Sequence, residues 1–205
     1  MTQTTENKVR IPSSSVTVKI AATPDEFAMA MAIRAAVFLA EEDNITYHDE
    51  FDGNDMMSTH LVAYVDGDPA GTFRIRWFAG FARLERLGIR KRYRCLAVLN
   101  ALAKHAMDLC RQKGYRIASG KSRSDVVSFW RRFGGRPSGD AVEMFRGTLV
   151  PMVYDIPAKP ALGEISAEML GDHDFEELIV QREGEWDFAG YGRAETPVSA
   201  IVAAE

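Results

Sequence analysis

The sequence predicts an α/β fold: a mixed, mostly antiparallel central sheet of about seven strands, with helices on both of its faces. Three observations predict it. Segments with a two-residue hydrophobic period alternate with segments of helical period, in the order β-α-β-β-β-α-β-α-β-β. The turn Asp66-Gly67-Asp68-Pro69 joins two of the alternating runs, which is a hairpin signal. Residues 84–102 change period in mid-course, so that a strand passes through a tight basic turn straight into a helix.

Taken in order, residues 1–15 are polar, contain Pro12 and Ser13 to Ser15, and show no period, so they read as a loose arm. Val16, Val18 and Ile20 alternate with Thr17 and Lys19 in a first strand. Thr23-Pro24-Asp25-Glu26 is a capping box with proline at the first helical position. The helix it opens is expected to reach about Glu42, with Phe27, Ala30, Met31, Ile33, Val37 and Phe38 on its apolar face. An acidic loop leads to strands at 61–65 and 72–78. In the second of these, Arg74 and Arg76 share a face with Thr72 and Phe78, opposite Phe73, Ile75 and Trp77. After Gly80 the next strand should place Leu84 and Arg86 on one face and Glu85, Leu87 and Ile89 on the other. The turn Arg90-Lys91-Arg92-Tyr93-Arg94 follows. From Cys95 the helix stripes Leu99, Leu102, Ala106 and Cys110 against Asn100, Lys104, Asp108 and Arg111, and Gly114 should stop it.

A strand at 115–119 precedes a helical run with Val126, Val127, Phe129, Trp130 and Phe133 that ends at Gly134-Gly135. Strands at 142–145 and 149–156 close the sheet, so the domain is expected over 16–156. Residues 157–205 form an extension with a helix at 165–170, an acidic stretch holding Phe175, Leu178, Ile179 and Trp186, and an apolar end at 198–204. Its aromatic residues suggest docking on the domain or on a second subunit of a homodimer.

Composition narrows the function. The 205 residues are 46% hydrophobic and 26% charged with net charge −4, an ordinary balance for a soluble protein. The charge is uneven: Arg83, Arg86, Arg90, Lys91, Arg92 and Arg94 cluster around Glu85, whereas residues 163–187 hold nine acids against Arg182. One local basic site suits a phosphorylated cofactor better than nucleic acid, which calls for a broad basic face. The first helical N–H groups after the basic turn are unpaired, and with the helix dipole they form an anion site. Cys95 and Cys110 lie on one helix roughly 22 Å apart and cannot pair within a monomer. The absence of a leader pattern or a long apolar run leads us to expect a cytoplasmic protein away from membranes. Four scattered histidines and no Cys-x-x-Cys argue against a metal, and 49–55 lacks the ligand spacing of a calcium loop.

Leu84-Glu85-Arg86-Leu87-Gly88-Ile89, then Tyr93-Arg94, then a long helix, resembles the acyl-CoA-binding motif of the GNAT acyltransferase superfamily. That motif turns on R/Q-x-x-G-x-G/A. Here Arg94, Cys95, Leu96, Ala97, Val98 and Leu99 occupy it, with Ala97 and Leu99 at the two small-residue places. A second signature, a helix with A-x-x-F-Y-x-x-x-G-F, is matched by Val126, Phe129, Trp130, Gly134 and Gly135, so tryptophan replaces the tyrosine. Arg34, Val37, Phe38, Glu41, Glu50, Asp52, Asp55 and His60 are similar to a bacterial branch of the family and to acyl-homoserine-lactone synthases. The resemblance implies a GNAT fold over 16–156 and acetyl-CoA or another acyl-CoA as co-substrate. It implies contacts to that substrate from Leu87, Gly88, Ile89, Arg94, Cys95, Leu96, Ala97, Val98, Leu99 and Trp130.

A small-molecule amine would attack the thioester directly, and its proton needs a carboxylate within reach. Glu85 stands on the strand expected to carry the acyl group, and an ion pair with Arg83 or Arg74 is the competing reading. Arg34, Glu50, Asp52 and Arg74 are the candidates for binding the acceptor, although Arg34 paired to the acidic loop is the plainer reading. Trp130 cannot protonate the departing thiolate, because an indole N–H is a donor but no acid. Water, Tyr154 or Tyr93 would have to do so. Three activities fit: an N-acyltransferase, an acyl-homoserine-lactone-synthase-like enzyme using a longer acyl donor and S-adenosylmethionine, and a CoA-binding module without turnover.

Overall fold

The structure, a computed structural model, describes residues 11–41, 45–144 and 147–157. The expectations for residues 1–10, and for the extension from 158 onward, lie outside the described residues.

Eight strands form one sheet: β1 (Val16–Ile20), β2 (Thr59–Val65), β3 (Asp68–Trp77), β4 (Ala82–Ile89), β5 (Ile117–Arg123), β6 (Gly135–Pro137), β7 (Val142–Met144) and β8 (Gly147–Asp155). Their order is β1-β2-β3-β4-β5-β8-β6, with β7 also on β8. Every neighbouring pair is antiparallel except β4–β5, which is parallel. The extra strand is β6, three residues ending in Pro137 and too short to show a period. It pairs with β8 through Gly135–Tyr154, Arg136–Val153 and Pro137–Met152.

The sheet separates two cores, and β2 shows how. Leu61, Ala63 and Val65 alternate with Val62 and Tyr64, as a two-residue period requires. The odd positions join the larger core with Phe73, Ile75 and Leu84, under α3 (Leu96–Gln112) and α4 (Val127–Trp130). Val62 joins the smaller core with Ala30, Ile33, Val37 and Phe38, under α1 (Pro24–Arg34). Helices therefore cover both faces. Among the described residues, no helix is long and apolar enough to cross a membrane.

Local signals placed most of the boundaries. The Thr23 hydroxyl accepts from the Glu26 N–H while the Glu26 carboxylate accepts from the Thr23 N–H, completing the capping box. Asp66 and Gly67 both have positive φ, 50° and 85°, as a tight hairpin between right-twisted strands demands. After α3, Tyr115 N–H returns to the Cys110 carbonyl and Gly114 N–H to the Arg111 carbonyl, a Schellman ending with Gly114 left-handed.

Four expectations need correction. The first helix does not stay α to Glu42: from Ala35 to Glu41 it widens to a π-helix. A tightly wound helix would turn Phe38 through a larger angle per residue. The wider turn instead seats Phe38 against Gly88. The run around Val126 is no regular helix but a 3-10 turn (Ser124–Val126), the four-residue α4 and a second 3-10 turn (Arg131–Phe133). The acidic loop contains a short helix, α2 (Tyr47–Glu50), capped by the Thr46 hydroxyl on the Asp49 N–H. Residues 11–15 are not a free arm, since Ile11 packs on the larger core and Ser13–Ser15 is a 3-10 turn.

Candidate active site

β4 and β5 form a fork. They pair only through Ala82–Ala118, Arg83–Ser119 and Leu84–Gly120, and beyond that point their facing edges make no ladder. Gly120 is the apex: a Cβ there would stand 2.7 Å from the Leu84 carbonyl oxygen, too close for any other residue without backbone movement. A cleft of about 610 Å³ opens from the apex. Its walls include Glu85, Arg86 and Leu87 on β4, Lys121, Ser122 and Arg123 on β5, and Phe38, Trp130 and Tyr154 from neighbouring elements.

β4 is not the simple alternating strand expected. Thr72 faces Gly88 while Arg74 faces Glu85, so β4 carries one more residue than β3 across this interval. This is a β-bulge, and Arg86 takes its left-handed position with φ 57°. The extra residue breaks the face rule. Glu85 and Arg86 both point to the α1 side, while Leu87 returns to the larger core with Leu84. Relative to Leu84 and Glu85, Arg86, Leu87 and Ile89 thus each take the face opposite to the one predicted.

Both polar side chains enter a network of charges sealed beneath α1. Arg34, wholly buried, donates from Nε to Glu50 Oε1 at 2.6 Å, from Nη2 to the Glu50 carbonyl at 2.6 Å, and from Nη1 to Asp55. Arg74, also wholly buried, reaches Asp55 Oδ1 at 2.8 Å and both oxygens of Asp52 at 2.8 and 2.7 Å. Arg86 Nη2 donates to the Asp49 carbonyl at 2.6 Å, and its Nε lies 3.1 Å from Glu50 Oε2. Arg34, Glu50, Asp52 and Arg74, expected to hold a substrate, hold one another instead, and none of the four lines the cleft. Hydrogen bonds from Arg74 hold the Asp52 carboxyl well below its usual range. Burial alone would raise the Asp55 carboxyl, but the hydrogen bonds from Arg34 and Arg74 outweigh it and lower it. Burial lowers the His60 pKa against the hydrogen bond to the Asp55 carbonyl, so the imidazole is favoured neutral.

Glu85 and Arg86 are the side chains of this network that reach the cleft. Of the network's four carboxylates, Glu50, Asp52, Asp55 and Glu85, it is Glu85 that lines it. Glu85 Oε2 lies 3.3 Å from Arg74 and Oε1 3.6 Å from Arg76. Arg76, not Arg83, is the second ion-pair partner. Glu85 Oε1 is buried yet accepts no hydrogen bond among the described residues.

The segment matched to the CoA motif lies beyond the fork. Gly88 packs under Phe38, and Ile89 and Val98 turn into the core. The first helical bond runs from Leu99 N–H to the Cys95 carbonyl, so the N–H groups of Leu96, Ala97 and Val98 have no partner within α3. The basic turn is less open than its composition suggests. Arg90 donates to Asp68 and to the Pro69 carbonyl, Arg92 lies over the Tyr93 ring, and Arg94 holds Glu41 and the Ile89 carbonyl. What remains for an anion is chiefly backbone.

Trp130 lines the cleft from an aromatic cluster with Phe73, Phe129, Phe133 and Tyr154. Tyr154 lines it too, and burial pushes its phenol well above the usual range. A phenol so weakly acidic stays protonated and can donate a hydrogen bond, but it is a weaker acid than the thiol it would have to form. Tyr93 drops out, since its hydroxyl donates to Asp68 away from the cleft. Among the described residues, no cluster of three metal-ligating side chains is arranged to hold an ion.

Comparison with known proteins gives one answer. The profile described as the acetyltransferase (GNAT) family matches residues 27–134, more than half of the chain. The Bacillus subtilis protein named uncharacterized N-acetyltransferase YjcF is 29% identical over 121 residues, covering 57% of this chain and 83% of that one. A Lactobacillus plantarum crystal structure assigned by name to the N-acetyltransferases has a TM-score of 0.64 at 25% identity, covering 70% of this chain and 99% of the other. A GNAT family acetyltransferase from Elizabethkingia anophelis, solved with acetyl-CoA bound, shares the fold with a TM-score of 0.52 at 9% identity, covering 69% and 98%.

Proposed function

Because the chain belongs to the acetyltransferase (GNAT) family, we propose that it transfers an acyl group, most simply acetyl, from an acyl-CoA to the nitrogen of a small-molecule amine. The observation that carries the reading is Glu85: a carboxylate at the mouth of the β4–β5 fork with one buried oxygen unspent by any hydrogen bond. An amine attacking a thioester carbonyl carbon must shed a proton as the C–N bond forms and the C–S bond breaks. Glu85 is placed to accept that proton directly or through one water. Arg74 and Arg76 aim its carboxylate.

The unladdered edges of β4 and β5 suit the amide-bearing arm of CoA, which needs backbone partners spaced as in a strand. The free N–H groups at the start of α3 suit the pyrophosphate. With Trp130 at the tyrosine place, the thiolate leaves without a side-chain acid. It is a good leaving group, with a conjugate acid near about pH 8.5, and the Tyr154 hydroxyl lends it a hydrogen bond.

The test is thiol release from acetyl-CoA across a panel of amines. Glu85→Gln should lower kcat by about tenfold to a hundredfold or more and move the low-pH limb of the rate profile. If no amine gives thiol release while CoA still raises the melting temperature, the chain is a binding module.

One observation favours a second reading, a longer acyl group. Phe73, Leu84, Trp130, Met152 and Tyr154 make one side of the cleft apolar. Octanoyl-CoA outperforming acetyl-CoA in the same assay would establish it.

A further inference from the structure

We infer that the acceptor amine also carries an anionic group, a carboxylate or a phosphate, and that Arg83, flanked by Lys121 and Arg123, binds it. The inference rests on the acyl transfer proposed above. It begins with an arrangement that a sheet ordinarily avoids: Arg83 stands directly opposite Arg76 across the β3–β4 pair. The two guanidinium groups are held side by side on an aromatic base. Arg76 lies 5.1 Å and Arg83 5.6 Å from the centre of Phe78, Arg83 lies 5.8 Å from Phe81, and the two rings stack at 4.8 Å. Stacking occupies the face of a guanidinium and leaves its N–H edge free to grip a planar anion. Among the described residues, Arg83 has no carboxylate partner.

The rest of the cleft wall points the same way. Arg83 neighbours Ser119 across β4–β5, and Lys121 and Arg123 follow on the same face of β5. The Ser119 hydroxyl is buried in that wall without a hydrogen-bond partner, so it is a donor awaiting an acceptor. The acids beside these cations are not spent on Arg83. The Asp49 carboxylate accepts from the Thr46 hydroxyl at 2.5 Å, and Asp125 serves Arg123 at 3.2 Å. Arg86 is committed to Asp49 and Glu50. Glu85 and Arg83 lie two residues apart on one face, roughly 6.6 Å along the strand. That spacing suits an acceptor whose nitrogen and anion are separated by a few bonds, with the amine toward Glu85 and the anion toward Arg83. Diamines and polyamines would put their second cation against Arg83.

The experiment compares kcat/KM for matched acceptors: α-amino acids against their amides, and phosphoethanolamine against ethanolamine. Wild type should prefer the anionic member of a pair by about tenfold or more at low salt, and the preference should shrink as salt rises. The pair that shows it identifies carboxylate or phosphate. Arg83→Gln should raise KM for the anionic member about tenfold while kcat stays within about threefold, leaving KM for the neutral member nearly unchanged. Preference for neutral amines or diamines would overturn the inference and leave acyl transfer standing. So would an Arg83→Gln variant that weakens both members of a pair equally. Silence toward every amine would instead remove acyl transfer itself, and this inference with it.

Discussion

Replacing Arg34 by methionine measures what the buried charge network contributes. In the native fold four cations (Arg34, Arg74, Arg76, Arg86) meet four carboxylates (Glu50, Asp52, Asp55, Glu85). Removing Arg34 leaves that group with one negative charge in excess. It also removes the hydrogen bonds that the Glu50 carbonyl oxygen and Glu50 Oε1 accept from Arg34 at 2.6 Å each. Breaking one partner out of a buried pair costs about 3–5 kcal/mol. Here the lower end applies, because Arg86 still reaches Glu50 at 3.1 Å and Arg74 still reaches Asp55 at 2.8 Å. A loss of about 3 kcal/mol should lower the melting temperature by about 6–12 °C in a domain of this size. Urea titration followed by circular dichroism near pH 7.5 reads it directly, with an unchanged m-value as the check on two-state behaviour. Adding Glu50→Gln should recover about 1 kcal/mol or more, since the excess negative charge is then gone. A cost under about 1 kcal/mol, or a double variant in which the two losses simply add, would refute the reasoning.

Acid should weaken the fold in two stages. The lowered His60 pKa adds a penalty once pH falls below about 6.5, because the unfolded chain takes up a proton that the folded one resists. The lowered Asp52 and Asp55 values give stability that is complete above about pH 4 and is lost as pH falls through their folded values. A urea midpoint unchanged from pH 7.5 to pH 3.5 would contradict both. Gly120→Ala should destabilise by about 1–3 kcal/mol and raise KM for acetyl-CoA, since its methyl meets the Leu84 carbonyl at 2.7 Å and pushes the fork apart at its apex. Wild-type stability and KM together would show that the apex yields. Trp130→Ala should cost about 3–5 kcal/mol from the aromatic cluster. Trp130→Tyr should fold and turn over at least as fast as wild type, and a markedly slower enzyme would mean that the tyrosine place lies elsewhere.

What could be read from the chain was what short-range chemistry decides. Thr23 with Glu26, Asp66-Gly67 and Gly114 each stabilise one local geometry, and each stands where it was expected. The helix from Leu96 buries Leu102, Ala106 and Cys110 as its stripe required. The bulge was hidden because Arg86 is no natural occupant of a left-handed position. It is held there by Asp49 and Glu50, some 36 residues earlier in the chain. For the same reason Arg86 was missed as a member of the network, and the cations of the basic turn looked freer than Asp68 and Glu41 leave them. Gly120 and Ser119 went unremarked, and Arg83 was read as one of a basic cluster or a partner for Glu85, because their meaning depends on β4 and β5 parting company after three pairs. The α2 helix did leave a trace, Thr46 three residues before Asp49, which is a cap signal.

The fork also leaves two strand edges whose peptide groups point at each other across a gap. Exposed on a surface, such edges would recruit other chains. Turned inward and splayed, they admit no foreign sheet, yet an extended molecule bearing amides can lie between them and lend each edge the partners it lacks. Binding would then be the last step of building the sheet. Its signature would be slowed amide hydrogen exchange along 85–89 and 121–123, read without any turnover.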